Sequence, residues 1–233
     1  STTTKQVPNK FPIIMMKASF RLAAAALACI VASVTSTNNS QFVTCGSAIK
    51  ISQMEGGGKH FLNSGNYNMN SGSGQQLVTW SPDNSKMTSL WWIRAGNDED
   101  TCETGTPIAC NAVVRLTHLQ TMKNLHTHDI TSPLSRQQEV SGFGEDGNGD
   151  TGDDWTVLCG KKKSSSQLLE RETEFRLQHV DTKKFLGGSG SVKFTQSNCG
   201  GNCPVMHHLE AFARGRDDAY TVLKVDLGVH LSK

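Results

Sequence analysis

The 233-residue chain carries 23 Lys and Arg against 21 Asp and Glu, a net charge of +2 with histidine neutral, and shows no clustered basic face of the kind a nucleic-acid partner requires. Residues 1–36 hold Lys5, Lys10, Lys17 and Arg21 and no acid, so the rest has 19 bases against 21 acids and a net charge of −2. After that stretch no apolar run approaches the roughly 20 residues needed to cross a bilayer, and enough chain remains for one well-buried domain.

In chain order, residues 1–14 read as an upstream segment, because Met15 or Met16 is the natural start of a signal. Residues 15–36 read as a secretory signal peptide. Lys17 and Arg21 form its positive end, Leu22 to Val34 is a 13-residue apolar run, and Ser33 and Ser36 supply small residues for cleavage. Asn38-Asn39-Ser40 is a sequon that makes Asn38 a glycosylation candidate. Seven cysteines occur; Cys29 leaves with the signal, and six remain behind it. That even number in a secreted context favours disulfides.

From residue 42 to about 230 one pattern occurs three times. Ile49–Gln53 followed by His60–Ser64 is echoed by Val114–His118 with Asn124–His128, and again by Phe175–His179 with Lys184–Gly188. Each copy is expected to close on an aromatic strand, at Trp91–Arg94, Trp155–Leu158 and Ala219–Leu223. Leu62, Leu125 and Leu186 recur 63 and 61 residues apart, and Trp92, Trp155 and Tyr220 recur 63 and 65 apart. Period-two alternation, as in Val114, Leu116 and His118, marks strands with one buried face. Ile51 to Leu62 is 11 residues where the other copies use nine, a two-residue insertion that a Gly-rich turn tolerates.

Four strands in each of three repeats (about 42–100, 105–160 and 170–228) predict an all-β fold. The compact arrangement is a β-trefoil, a six-stranded barrel closed by three hairpins; a propeller would want more, shorter repeats. Leu62, Leu125, Leu186, Trp92, Trp155 and Tyr220 are the expected repeat core. Cys45 and Cys102 bracket the first repeat as Cys110 and Cys159 bracket the second, which predicts the bridges Cys45–Cys102 and Cys110–Cys159. Cys199 and Cys203 either close a small loop or stay reduced.

Candidate chemistry is sparse. His126 and His128 lie two apart on a predicted strand and so share a face, a spacing compatible with a metal. No further ligand is nominated by the sequence, so structural histidines are the plainer reading. The run Asp146–Asp154 imitates a calcium loop, but Thr151 and Val157 stand where an EF-hand needs Gly and Glu. Lys161-Lys162-Lys163 beside three serines reads as a solvated linker. There is no Gly-x-Ser-x-Gly elbow and no phosphate loop, so neither an enzyme nor a cofactor is expected.

Gly72–Gln76, Gly105–Ile108, Val114–His118, Leu125–His128, Ser132–Ser135, Gln138–Val140 and Asp153–Val157 together resemble the MIR-domain proteins, specifically the small stromal cell-derived factor 2 type, over about residues 42–225. The resemblance implies a luminal or secreted trefoil without catalytic activity. It further implies work in endoplasmic-reticulum quality control as a chaperone cofactor, beside DnaJ-type or Hsp70-type partners. A carbohydrate-binding trefoil, or an accessory to protein O-mannosylation, is the alternative. The chain departs from the family at Asn63 and Gly65, and at Gly187 and Ser189, where repeat two has His126 and His128. It ends His230-Leu231-Ser232-Lys233 where many relatives carry a retrieval tetrapeptide, which leaves retention by a partner, a truncated terminus and secretion all open.

Overall fold

A computed structural model of the chain describes residues 41–85, 87–97, 102–160 and 167–230. The signal-peptide reading, Asn38 and Lys161–Lys163 lie outside the described residues.

Repeat one supplies β1 (Ser47–Gln53), β2 (His60–Asn68), β3 (Gln76–Ser81) and β4 (Trp91–Ala95). Repeat two supplies β5 (Val113–His118), β6 (Asn124–Thr131), β7 (Gln138–Phe143) and β8 (Trp155–Cys159). Repeat three supplies β9 (Phe175–His179), β10 (Phe185–Gly187), β11 (Leu209–Glu210), β12 (Phe212–Arg214) and β13 (Lys224–His230), with a short helix, α1 (Gln196–Cys199). The pattern predicts twelve strands; thirteen are described, because the second hairpin strand of repeat three is interrupted at Ala211.

The first and last strands of the repeats close a barrel. β1 pairs with β4, β4 with β5, β5 with β8 and β8 with β9. Phe175 bridges Leu223, and β13 returns to β1 from Ser47 opposite His230 to Ser52 opposite Lys224. The inner strands form three hairpins, β2–β3, β6–β7 and β10–β12. These join one another in a ring through β3–β7, β7–β12 and β11–β3. That threefold barrel with its hairpin cap is a β-trefoil.

Period two places alternate side chains inward, and one core cluster results. Leu62, Leu125 and Leu186 are fully buried within it, at matching hairpin positions. Each leucine contributes about 1.5–3 kcal/mol by burial. Trp91 Nε1 donates to the Leu62 carbonyl at 3.0 Å and Trp155 Nε1 to the Leu125 carbonyl at 2.9 Å. The buried tryptophan of repeat one is therefore Trp91, and the expected Trp92 is only half-buried on the opposite face of β4. The Trp91-Trp92 doublet hid this one-residue offset.

Tyr220 is likewise not a core residue. It lies 37% exposed in a 3-10 turn, Ala219–Thr221, under the Arg214 guanidinium, whose Cζ lies 5.0 Å from the ring. Such turns recur before the last strand of each repeat, at Met87–Ser89 and Thr151–Asp153. Asp150 and Asp218 cap the second and third. Two residues beyond its turn, repeat two buries Trp155; two residues beyond Thr221, repeat three buries Leu223. An aliphatic side chain fills the aromatic slot there, and the expected aromatic strand over 219–223 is this capped turn instead.

Disulfides join Cys45 to Cys102 and Cys110 to Cys159, with Cα separations of 5.7 and 5.5 Å. Each ties the entry of a repeat to its exit. The third repeat is closed instead by β13 on β1. Cys199 and Cys203 are joined across a loop following α1.

Candidate functional site

Two groups of side chains stand out against the threefold background. The first belongs to repeat two. β6 alternation turns His126 and His128 to one face, and the capped turn at 151–153 carries Asp153 underneath them. His126 Nδ1 lies 2.9 Å from Asp153 Oδ1 and 3.6 Å from Asp150 Oδ1, while His126 Nε2 lies 2.6 Å from His128 Nδ1. A carboxylate only accepts, so His126 donates from Nδ1 to Asp153, and Nε2 then accepts from His128. Asp153 is fully buried; its other oxygen accepts from Asn124 Nδ2 at 2.8 Å and from the Asp150 amide at 3.2 Å. Thr117 Oγ1 in turn donates to Asn124 Oδ1.

Arginines border this cluster. Arg115 donates to Asp154 Oδ1 at 3.2 Å, to Asn97 Oδ1 at 2.8 Å and to the Asp150 carbonyl at 2.7 Å. Arg94 donates to the Gly147 carbonyl. Burial raises the Asp154 carboxyl above the usual range, against the opposing pull of the Asn97 amide and Arg115. Burial likewise lowers the Arg94 guanidinium, with the charge of Arg115 adding to it.

The same positions in the other repeats carry different chemistry. Asn63 replaces His126 and donates to Thr88 and Ser89, and Ser89 replaces Asp153. In repeat three Gly187 and Thr221 occupy these places. Two histidines at the ends of first strands are common structural elements: His118 tilts against Trp91 and His179 against Trp155, with ring centroids 5.1 and 5.3 Å apart. Burial lowers both below the ordinary histidine value. Gln53 ends β1 at the corresponding position, buried, with neither amide atom partnered.

The second group is a cleft of about 360 Å³ where the hairpin loops of all three repeats converge. Tyr67, 49% exposed, and Leu134, Phe194, Pro204 and Val205 line it together with Asn68, Asn70 and Asn198. Two buried glutamates hold its walls. Glu139 accepts from the Ser73 amide at 3.2 Å and from the Ser73 hydroxyl. Glu210 accepts from the amides of Leu134 at 3.0 Å and Ser135 at 2.7 Å. Each carboxylate thus clamps the loop of the preceding repeat. Gly72 is required beside the first clamp: its φ is +68°, and a Cβ there would lie 1.8 Å from Glu139 Oε2. The third position of this set is Leu77, which has no charge to offer. The third loop, 188–208, is shaped instead by α1 and the Cys199–Cys203 bridge. Among the described residues no Lys or Arg lines the cleft, so it suits neutral polar and apolar groups over anions.

His126 and His128 are therefore together, beside two carboxylates of the 146–154 run that the sequence offered only as a failed calcium loop; Asp153 is buried against His126 and not solvated. The Asp150-x-x-Asp153 capping box was the available signal for that part. Glu139 and Glu210 had no local signal, since their partners come from other repeats.

The capped barrel and its converging loops make the chain a β-trefoil built to present loops. The MIR domain profile matches residues 61–223, and the chain belongs to the MIR domain family. It is 49% identical over 148 residues to mouse stromal cell-derived factor 2-like protein 1, covering 64% of this chain and 63% of that relative. The match thus spans less than two thirds of the relative's length. The crystal structure of the SDF2-like protein from Arabidopsis thaliana superposes with a TM-score of 0.71 at 32% identity, over 82% of this chain and 97% of that one. The S. cerevisiae protein O-mannosyltransferase Pmt1-Pmt2 complex bound to the sugar donor superposes with a TM-score of 0.68 at 28% identity, over 82% of this chain and 26% of that one.

Proposed function

We propose that the chain is a non-catalytic binding module of the secretory pathway, a component of an endoplasmic-reticulum chaperone complex that assists protein quality control. The observation that carries this reading is the three-loop cleft. It has an exposed tyrosine, an apolar wall and asparagine side chains, and its described lining holds no cation, a chemistry suited to peptide segments of other proteins. Its walls are held by carboxylate clamps and a disulfide, so little ordering is required on binding. Three disulfides among the described residues accord with an oxidising compartment, and no described helix is long and apolar enough to cross a membrane. DnaJ-type or Hsp70-type luminal chaperones are the expected partners. Crosslinked pull-down from a luminal extract should recover them with the wild type and lose them with Tyr67→Ala combined with Leu134→Ser. Equal recovery by both proteins would remove the cleft from the interaction.

The superposition on an O-mannosyltransferase complex favours a second reading, a glycan-binding or accessory role in protein O-mannosylation. A glycan-array signal competed by free mannose would promote it.

A further inference from the structure

We infer that the carboxylate–histidine cluster of repeat two is a divalent-cation site, with His126 Nδ1, Asp150 Oδ1 and Asp153 Oδ1 as ligands of one zinc-class ion. These three atoms lie within 4.8 Å of one another. Zinc bonds of about 2.0–2.2 Å in tetrahedral geometry place ligand atoms about 3.4 Å apart. The carboxylate oxygens stand 2.9 and 3.6 Å from Nδ1, on either side of that distance.

The space between the ligands is held open by a missing side chain. A Cβ on Gly152 would lie 2.8 Å from His126 Nδ1, 3.0 Å from Asp150 Oδ1 and 2.3 Å from His126 Cε1. Its φ is not in the left-handed region, so backbone conformation does not demand glycine here; the room does.

Outer contacts that orient metal ligands are in place. Asn124 and the Asp150 amide hold the second oxygen of Asp153, and the Gly152 amide holds Asp150 at 2.9 Å. With an ion on Nδ1, the His126 proton moves to Nε2 and donates to His128 Nδ1, which takes the Nε2–H tautomer. The 2.6 Å contact between the rings is kept. Arg115 opposes the ion: its Nη2 is 2.7 Å from the Asp150 carbonyl and 3.9 Å from Asp153, there on the oxygen turned away from the site, and its charge is partly met by Asp154.

Entry is from the Asp150 side, whose side chain is 58% exposed. It opens on a hollow edged by Glu145 and Asp146, whose charge draws cations inward. One nitrogen and two carboxylate oxygens with open positions suit zinc or another first-row divalent ion over calcium, which takes six to eight oxygens. Repeats one and three are internal controls, since Asn63 with Ser89 and Gly187 with Thr221 supply no such ligand set.

The test is calorimetric titration of the chelator-stripped full chain with zinc chloride, paired with thermal melting. Wild type should bind one equivalent and melt higher with zinc. Asp150→Asn retains the acceptor for the Gly152 amide; it should melt as wild type without zinc and bind at least tenfold more weakly. Gly152→Ala should block the site, and cobalt(II) should give a tetrahedral absorption band in wild type alone. The absence of a saturable heat in folded wild type would overturn the inference. So would Asp150→Asn binding zinc as tightly as wild type, which would place the ion elsewhere.

Discussion

Leu125 has a polar shell on one side and the common core on the other: its carbonyl accepts from Trp155, and its side chain is fully enclosed. Leu125→Ala should therefore cost about 2–5 kcal/mol in a denaturant titration. His118 makes a prediction of a different kind. Burial lowers its folded-state value, so the unfolded chain binds the proton more readily. Stability from this group is present above about pH 6.5 and falls as pH drops below it toward the folded-state value. His118→Gln should flatten the melting temperature between about pH 7 and pH 5, because Gln53 already occupies the corresponding place in repeat one. An unchanged slope would assign the pH dependence to other groups. Position by position, the leucine triplet was legible because its spacing is nearly regular. Trp91 was not, because adjacent tryptophans offer two registers and only packing selects one.

At the scale of elements, the loops between hairpin strands are held by groups from the next repeat. Glu210→Ala should free the amides of Leu134 and Ser135 and raise hydrogen exchange across residues 132–137 by about tenfold or more. The Ser73 loop, clamped by Glu139, should be unaffected. Removing such an acceptor costs about 1–3 kcal/mol where the amides stay buried. Capping turns act similarly on the last strands: Asp150 and Asp218 fix where β8 and β13 begin. Their Asp-x-x-Asp and Asp-x-x-Thr patterns are visible in the sequence. The Ala219–Thr221 turn was hidden because Tyr220 resembles a strand residue until its cap is noticed. The cleft was illegible for a physical reason: its walls touch only after three segments far apart in the chain have folded together.

For the whole molecule, alternation, turn residues and triplication were enough to read the β-trefoil, since those signals are local and repeated; the family was legible only through the motifs it resembles, such as Val114–His118 and Asp153–Val157. The candidate ion cluster was half legible. His126 and His128 share a strand, whereas Asp153 reaches His126 from the far side of the same repeat. Global stability should depend on the covalent closures. Cys45→Ala with Cys102→Ala removes a loop of 57 residues and should cost about 4 kcal/mol in the entropic description. Cys199→Ser with Cys203→Ser should cost far less, because its loop spans a separation of four. Differential scanning calorimetry of the two double variants separates these expectations.

The pairing of β13 with β1 sets the order of events during synthesis. Repeats one and two can each be locked by their own cysteines soon after they emerge, but the circle stays open until residues 224–230 leave the ribosome. Until then β1 presents an unpaired edge to its surroundings. A nascent chain halted before that point would expose a sticky strand, so consolidation of the barrel waits on Lys224–His230.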